Sequence, residues 1–227
     1  MNTDSGSKAS KLHDLMASVH HASWALANTK GEERSRGIEA MAQGMRNSFD
    51  DILEANTLDL ETSRDMAVPD LILDWLKLTP ERLQMAIAIL ERIGKSSDPI
   101  RRVMNASYQT DQSQTYCQLM PLGVIALIYE AFPELGAIAA GFCVKTGNSL
   151  VLKGSSEASQ SNQVIAQALQ NALDEVGLPT GCLELLPSGQ GASIRDLVTQ
   201  NPYLNLVIPH GRPTLLKQVI QQSTAPV

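Results

Sequence analysis

Between Pro121 and Glu157 the chain reads PLGVIALIYEAFPELGAIAAGFCVKTGNSLVLKGSSE, and the period of its apolar positions changes twice. Val124 to Tyr129 is an unbroken apolar run, short enough for a strand buried on both faces of a parallel sheet. Leu135, Ile138, Ala139 and Phe142 then recur at helical spacing. Pro133 suits a first helical position, where a missing N–H loses no intrahelical partner, and Gly147 is a natural stop. A second apolar run, Leu150 to Leu152, ends in Lys153-Gly154-Ser155-Ser156-Glu157, where a long amphipathic helix begins. This is a strand, helix, strand crossover. Ligands of open parallel sheets settle outside the carboxyl ends of the strands, so chemistry is expected at Tyr129–Phe132 and Lys153–Glu157.

Residues 1–10 are polar and without periodicity, which predicts a disordered tail. From Lys11 onward Leu12, Leu15, Met16, Val19, Ala22 and Leu26 share a helical face until Thr29-Lys30-Gly31. A second helix is predicted to carry Ile38, Met41, Met45, Phe49, Ile52 and Leu53 and to end at Asn56–Asp59, and a short one starts at Pro69-Asp70. Thr79-Pro80-Glu81 joins a capping hydroxyl, a first-turn proline and an acid at the positive end of a helix dipole, ahead of the stripe Leu83, Ala86, Ile87, Leu90 and Ile93. Residues 11–97 therefore read as a helical layer without chemistry of its own, covering a sheet. Residues 106–120 are polar and rich in Thr, Tyr and Gln, as exposed strands of a hairpin are. Downstream, a helix face of Val164, Ala168, Leu169, Ala172 and Val176 precedes a strand at Leu183–Leu186, and a short helix around Leu197 precedes a buried strand at Leu204–Ile208. Pro213 opens one more helix, and Ala225-Pro226-Val227 reads as the start of another strand. The fold class is α/β: a helical N-terminal layer plus a Rossmann-like parallel sheet with right-handed crossovers over residues 121–227.

Composition removes function classes. Eighteen basic against twenty-four acidic side chains leave a net charge of −6, which repels a phosphate backbone, so no nucleic-acid partner is expected. No apolar stretch is long enough for a membrane span, and MNTDSGSKAS lacks the apolar centre of a secretory signal, so the expected location is cytoplasmic. Cys117, Cys143 and Cys182 have no paired spacing and the four histidines form no ligand motif, so neither a disulfide nor a metal site is predicted.

Three loops can carry chemistry. A lysine at a strand end followed by glycine and serines, Lys153 to Ser156, can donate to ribose hydroxyls or a 2′-phosphate; on the residues alone, a lysine reaching solvent is the plainer reading. Pro187-Ser188-Gly189-Gln190-Gly191 and Ile208-Pro209-His210-Gly211-Arg212 both lie between a strand and a helix, where backbone amides can approach a pyrophosphate. Arg212 can pair with a phosphate or be merely hydrated. Glu130 is either a paired carboxylate or part of an active site.

The segments PLGVIALIYE and AAGFCVKTGNSLVLKGSSEASQSN resemble the N-terminal cofactor domain of the gamma-glutamyl phosphate reductases, within the aldehyde dehydrogenase superfamily. More loosely, the resemblance runs from ILEANTLDL to STAPV. It implies an NADP-dependent reduction of an acyl phosphate, L-glutamyl 5-phosphate, to glutamate-5-semialdehyde in proline biosynthesis, with residues 11–227 as the dinucleotide-binding domain. Carried onto this sequence, it implies cofactor contacts at Lys153, Ser155, Ser156, Glu157, Gly189, Pro209 and Gly211, and a substrate loop with Glu130 and Phe132. It also implies that the 106–120 hairpin joins two subunits as a homodimer; the residues alone fit a plain surface hairpin equally well. The family's nucleophilic cysteine lies beyond the last residue here, so no catalytic residue is assigned and the catalytic domain is expected to be absent. Two departures stand out: Ala131 and Phe132 replace the serine and arginine of the family's YESRP, and His210 replaces the arginine of IPRGG. They leave open a second reading, a catalytically silent relative that binds nucleotide or assists assembly. Lys153 suits both a 2′-phosphate and a plain ribose, so NADP and NAD are not separated.

Overall fold

The computed structural model describes residues 3–100, 102–105, 116–188 and 192–227. Helices α1 (Thr3–Asn28), α2 (Gly31–Asn47), α3 (Phe49–Asp65), α4 (Asp70–Leu76) and α5 (Pro80–Lys95) come first. Two short strands follow, β1 (Val103–Asn105) and β2 (Tyr116–Gln118), paired antiparallel with Val103 opposite Gln118. The tip of the predicted hairpin lies outside the described residues. Next come β3 (Val124–Tyr129), α6 (Glu134–Lys145), β4 (Ser149–Gly154), α7 (Ser159–Glu175), β5 (Leu183–Leu185), α8 (Ile194–Val198), β6 (Leu206–His210) and α9 (Pro213–Gln222). Strands β3 to β6 form a parallel sheet in the order β5-β4-β3-β6.

The apolar run of β3 is divided between two cores by the two-residue period of a strand. Ile125, Leu127 and Tyr129 enter a core with Leu150 and Leu152 of β4, Ala137, Ala140 and Val144 of α6, and Ile165 and Leu169 of α7. Val124, Ala126 and Ile128 enter a second core with Met16 and Val19 of α1, Leu197 of α8 and Leu215 and Val219 of α9. β3 is thus buried on both faces, as expected for the inner strand of a parallel sheet. The Thr79 cap forms as predicted, its Oγ accepting from the Arg82 N–H at 3.3 Å.

The helical region does cover the sheet, but from two sides. The first part of α1, with Leu12, Met16 and Val19, lies on the face shared with α8 and α9, while its Ala22 and Leu26 join the other core, where α2 and α5 pack outside α6 and α7. Helix α1 begins at Thr3, where a disordered tail to Ser10 was expected. Once Leu12, Met16 and Val19 are docked, extending the helix backwards needs no new nucleus. The helix expected from Ile38 to Leu53 is broken at Ser48, and Asp50 and Asp51 favour a fresh N-terminus for α3. Asn56 to Asp59 do not end α3. Asn56 bonds the Leu76 carbonyl (2.9 Å) and the Leu78 N–H (2.9 Å), and Asp59 reaches α7, so neither competes for its own backbone.

Phe142 and Val176, assigned to buried stripes, are exposed. Helix α6 is sandwiched between the sheet and α5 and buries its small residues instead; a Cβ on Gly141 would sit 2.5 Å from Leu90. The last strand runs two residues later than predicted and is only partly buried, because β6 ends the row. Ala225–Val227 is not a strand, although the Val207 N–H donates to the Pro226 carbonyl at 2.8 Å.

Candidate active site at the sheet edge

Register alone brings the candidate loops together. Ile128 lies between Lys153 and Pro209, and Tyr129 between Gly154 and His210, so β3, β4 and β6 end side by side. Lys153 is not a solvated lysine. It is 7% exposed, and its Nζ donates to the Pro187 carbonyl at 2.8 Å, tying the end of β4 to the loop after β5. Burial lowers its pKa, and among the described residues it has no carboxylate partner. Other buried cations have partners: Arg34 pairs with Asp98 (2.8 Å), and Lys145 of α6 donates to Ser35 (2.8 Å) and the Gly94 carbonyl (2.9 Å). A desolvated cation lacking a counter-charge at a strand end is suited to receive an anion.

Lys153 lines a cleft of about 300 Å³ with Glu130, Ser155, Arg212, Thr214 and Gln218. Here Glu130 is a paired carboxylate. It accepts from the Arg212 backbone N–H (2.7 Å), Nε (3.1 Å) and guanidinium NH2 (3.0 Å). Gly211 makes the approach feasible, since a Cβ there would lie 2.7 Å from Glu130 Oε2. Burial raises the Glu130 pKa, but the hydrogen bonds and charge of Arg212 outweigh it, so the net value falls below the ordinary 4.5. A carboxyl with a lowered folded-state pKa stabilises the fold above its unfolded value, and that contribution is lost as pH falls below 4.5. Because Arg212 is half exposed, the loss is expected to be no more than about 1 kcal/mol. Glu130→Gln should flatten that part of the acid limb in denaturant melts from neutral pH downward; an unchanged acid limb would reject the assignment.

After Glu130 the backbone turns through two residues in the left-handed region, Ala131 (φ 52°) and Phe132 (φ 44°). Such a turn costs about 1–3 kcal/mol per residue and needs surroundings that hold it. They are present: the Ala131 N–H points to Ser155 Oγ (3.4 Å), the Phe132 N–H donates to the Trp75 carbonyl (3.3 Å), and Ala131 is fully buried. The Phe132 ring stacks on Trp75 at 5.3 Å, meets the edge of His210 at 5.4 Å and has the Arg82 guanidinium 5.5 Å from its centroid. Arg82 is occupied by Glu134 and by the carbonyls of Trp75 and Lys77, so the turn presents an aromatic surface where the resemblance implied a free cation.

A second cleft, of about 350 Å³, opens between α7 and β5 and shares Gly154 with the first. Asn162, Gln163, Gln167, Pro187 and Ser188 line it. The structure therefore gathers Lys153, Ser155 and Glu130 in one cleft. Ser156 and Glu157 sit in a 3-10 turn, bonded to each other at 3.3 Å, and Pro209, Gly211 and Phe132 do not line that cleft. Gly189 lies outside the described residues. Cys143 and Cys182 are buried, which pushes each thiol up to about 12 and makes both poor nucleophiles; Cys117 is exposed. Among the described residues no three His, Cys, Asp or Glu side chains group as metal ligands, and no helix is long and apolar enough to cross a membrane. Asn162, Trp75 and Arg82 were not marked by sequence as parts of the site. Asn162 left one signal, a polar residue that with Ser161 begins the otherwise apolar buried face of α7.

The model of the aldehyde dehydrogenase family matches residues 3–227. The chain belongs to that family. It is 50% identical over 219 residues to gamma-glutamyl phosphate reductase 2 of Synechocystis sp., covering 96% of this chain and 52% of the relative. With gamma-glutamyl phosphate reductase of Gloeobacter violaceus the identity is 40% over 209 residues, 92% of this chain and 50% of the relative. The crystal structure of gamma-glutamyl phosphate reductase from Thermotoga maritima superposes with a TM-score of 0.85 at 28% identity, over 94% of this chain and 52% of that one. The chain spans about half the length of the curated relatives it matches.

Proposed function

We propose that this chain is the dinucleotide-binding part of a cytoplasmic aldehyde dehydrogenase-family reductase that converts L-glutamyl 5-phosphate to glutamate-5-semialdehyde with NADPH. The observation that carries the reading is the 50% identity to a gamma-glutamyl phosphate reductase over 96% of this chain. The residues at the sheet edge fit the cofactor: a buried lysine without a counter-charge among the described residues, and a glycine, Gly154, shared by two adjoining clefts. Lys153 would hold a ribose or its 2′-phosphate, and Ser155 would keep the neighbouring turn in place. When bound, a nicotinamide dinucleotide supplies a hydride. The tie from Lys153 to Pro187 and the pairing of Glu130 with Arg212 set the walls of the site before any ligand arrives, which lowers the ordering cost of binding. In this reading the β1–β2 hairpin joins two copies, which sedimentation of the chain at micromolar concentration would reveal as a dimer; a monomer would reject that part. Titration of the chain with NADPH and NADH, followed by ligand fluorescence, is expected to show saturable binding that is tighter for NADPH. Linear, unsaturated signals for both would end the proposal.

A second reading is favoured by the aromatic turn at Ala131–Phe132 and the two buried thiols: a nucleotide-binding or assembly module without turnover of its own. Assaying this polypeptide with glutamate-5-semialdehyde, phosphate and NADP separates the two, since turnover excludes a purely binding role.

A further inference from the structure

We propose that Arg212, at the start of α9, is a phosphate-binding residue, and that the Glu130 carboxylate occupies it in the free chain as an internal counter-ion which the ligand's phosphate displaces. The source of that phosphate rests on the reading above; the exchange itself does not.

Three donors of Arg212, its backbone N–H, Nε and NH2, converge on one carboxylate. A guanidinium fork beside a backbone amide receives a pair of phosphate oxygens as readily as a pair of carboxylate oxygens. Helix α9 brings no anion of its own to this end. It has no acidic residue in its first turn and no side-chain cap, so Glu130, reaching across from the end of β3, is the charge its dipole meets. Gly211 leaves the room: a Cβ there would lie 2.7 Å from Glu130 Oε2, in the space the anion takes. Matched on Ile208 to Gly211, the pattern IPRGG has its second glycine where this chain has Arg212 and its arginine where this chain has His210. The permanent cation of this loop therefore stands two residues further along, within reach of Glu130.

A second cation faces the same cleft. Lys153 is 7% exposed and has no carboxylate partner among the described residues. In the empty cleft Arg212 is neutralised and Lys153 is not. A phosphate dianion placed between them answers both charges, but only with Glu130 swung out, because two anions on one guanidinium repel each other. Little opposes that swing. The Glu130 backbone N–H is fixed to the His210 carbonyl at 3.0 Å, so the exchange needs rotation of one side chain and no movement of the sheet. The pair that breaks is half exposed on its arginine side, and such pairs are weak, whereas charge-assisted bonds to phosphate are strong. While the cleft is empty, Glu130 keeps the guanidinium in place; on binding, Arg212 changes its partner and not its position. Glu130 is thus a positioning residue of the empty site and a competitor of the ligand.

Calorimetric titration of the chain with inorganic phosphate, pyrophosphate and NADPH at fixed ionic strength tests this. Glu130→Gln removes the competing charge at nearly the same volume, and is expected to tighten whichever phosphate uses Arg212 about fivefold. Arg212→Gln is expected to weaken it about tenfold, and Arg212→Lys, which keeps the charge without the fork, about threefold. In the double variant, Glu130→Gln with Arg212→Gln, the gain from the first substitution disappears, a coupling that a merely structural ion pair does not produce. Tightening of pyrophosphate and NADPH assigns the exchange to the diphosphate of the cofactor; tightening of inorganic phosphate alone assigns it to the phosphoryl group of the substrate. Unchanged or weaker affinity of Glu130→Gln for all three, in a variant whose thermal melt shows it folded, overturns the inference while the dinucleotide reading stands. Coupled pyrophosphate binding without saturation by NADPH removes the dinucleotide reading and leaves the exchange. Absence of saturable binding of all three by the parent chain removes both.

Discussion

Lys153→Met is expected to weaken NADPH binding about 30- to 100-fold while leaving the fold as stable as before, or slightly more so. The charge-assisted contact that a lysine makes with a phosphate or ribose is worth about 2–3 kcal/mol, which sets the size of the loss. Stability moves the other way because the free chain holds Lys153 at a cost. Its ammonium is nearly buried, its single acceptor among the described residues is the Pro187 carbonyl, and burial lowers its pKa from the ordinary 10.5. Methionine fills a similar volume without a charge to desolvate. A position where removing a residue costs function but not stability is a position kept for the ligand. The pH dependence carries the same sign. The folded-state pKa of this basic group is lowered, so the buried cation destabilises the fold at neutral pH, and that penalty lifts as pH rises through the lowered value. NADPH affinity should fall over the same range, since the ligand's anion loses its partner. Titration and denaturant melts of the parent and Lys153→Met at neutral pH and at pH 9 check both statements. Equal affinity of the two proteins would remove Lys153 from the site.

The contrast between Lys153 and its neighbours shows what a sequence displays and what it conceals. The crossover from Val124 to Leu152 was legible because a strand buried on both faces must be apolar throughout, and the helix between the strands needs a proline near its start and a glycine past its end. The strand ends were legible as a site because parallel topology places them on one edge. What the side chains do there was not. Glu130 bonds a residue 82 positions away and Tyr129 one 33 positions away, and nothing local marks either partner. Phe142 failed for a related reason. On a helix packed on two sides, the close approach of α5 at Gly141 decides which face is buried, and hydrophobicity alone ranks phenylalanine above glycine. Asn56–Asp59 and Ser48 are converse errors: the first are polar residues read as a helix end whose partners lie across the fold, the second is a helix end that an uninterrupted apolar stripe concealed.

Asp59 is the clearest of these, and Asp59→Ala is expected to destabilise the chain by about 2–4 kcal/mol. The helix that follows the Lys153 loop, α7, has Ala158 before its first residue and no side-chain cap of its own. Asp59 of α3 supplies one from about a hundred residues away, accepting from the N–H groups of Gln160 (3.0 Å) and Ser161 (2.8 Å) and from Ser161 Oγ (2.6 Å). Alanine leaves two buried donors, the Ser161 N–H and Oγ, and the half-buried Gln160 N–H without this acceptor, and removes a negative charge from the positive end of the helix dipole. The pH signature is opposite to that of Glu130. Burial raises the Asp59 pKa above 3.8 and its hydrogen bonds only partly offset this, so the folded chain binds this proton more tightly than the unfolded chain does. Its contribution is fully present below 3.8 and declines as pH rises through the raised value, a decline that Asp59→Ala abolishes. The first turn of α7 also carries Asn162, so loosening it should reach the ligand as well. Urea denaturation across pH 4 to 7, with hydrogen exchange read at the Gln160 and Ser161 amides, measures both effects. A loss below about 1 kcal/mol with both amides still protected would show that α7 is held by its packing on α2 and α3 rather than by the carboxylate.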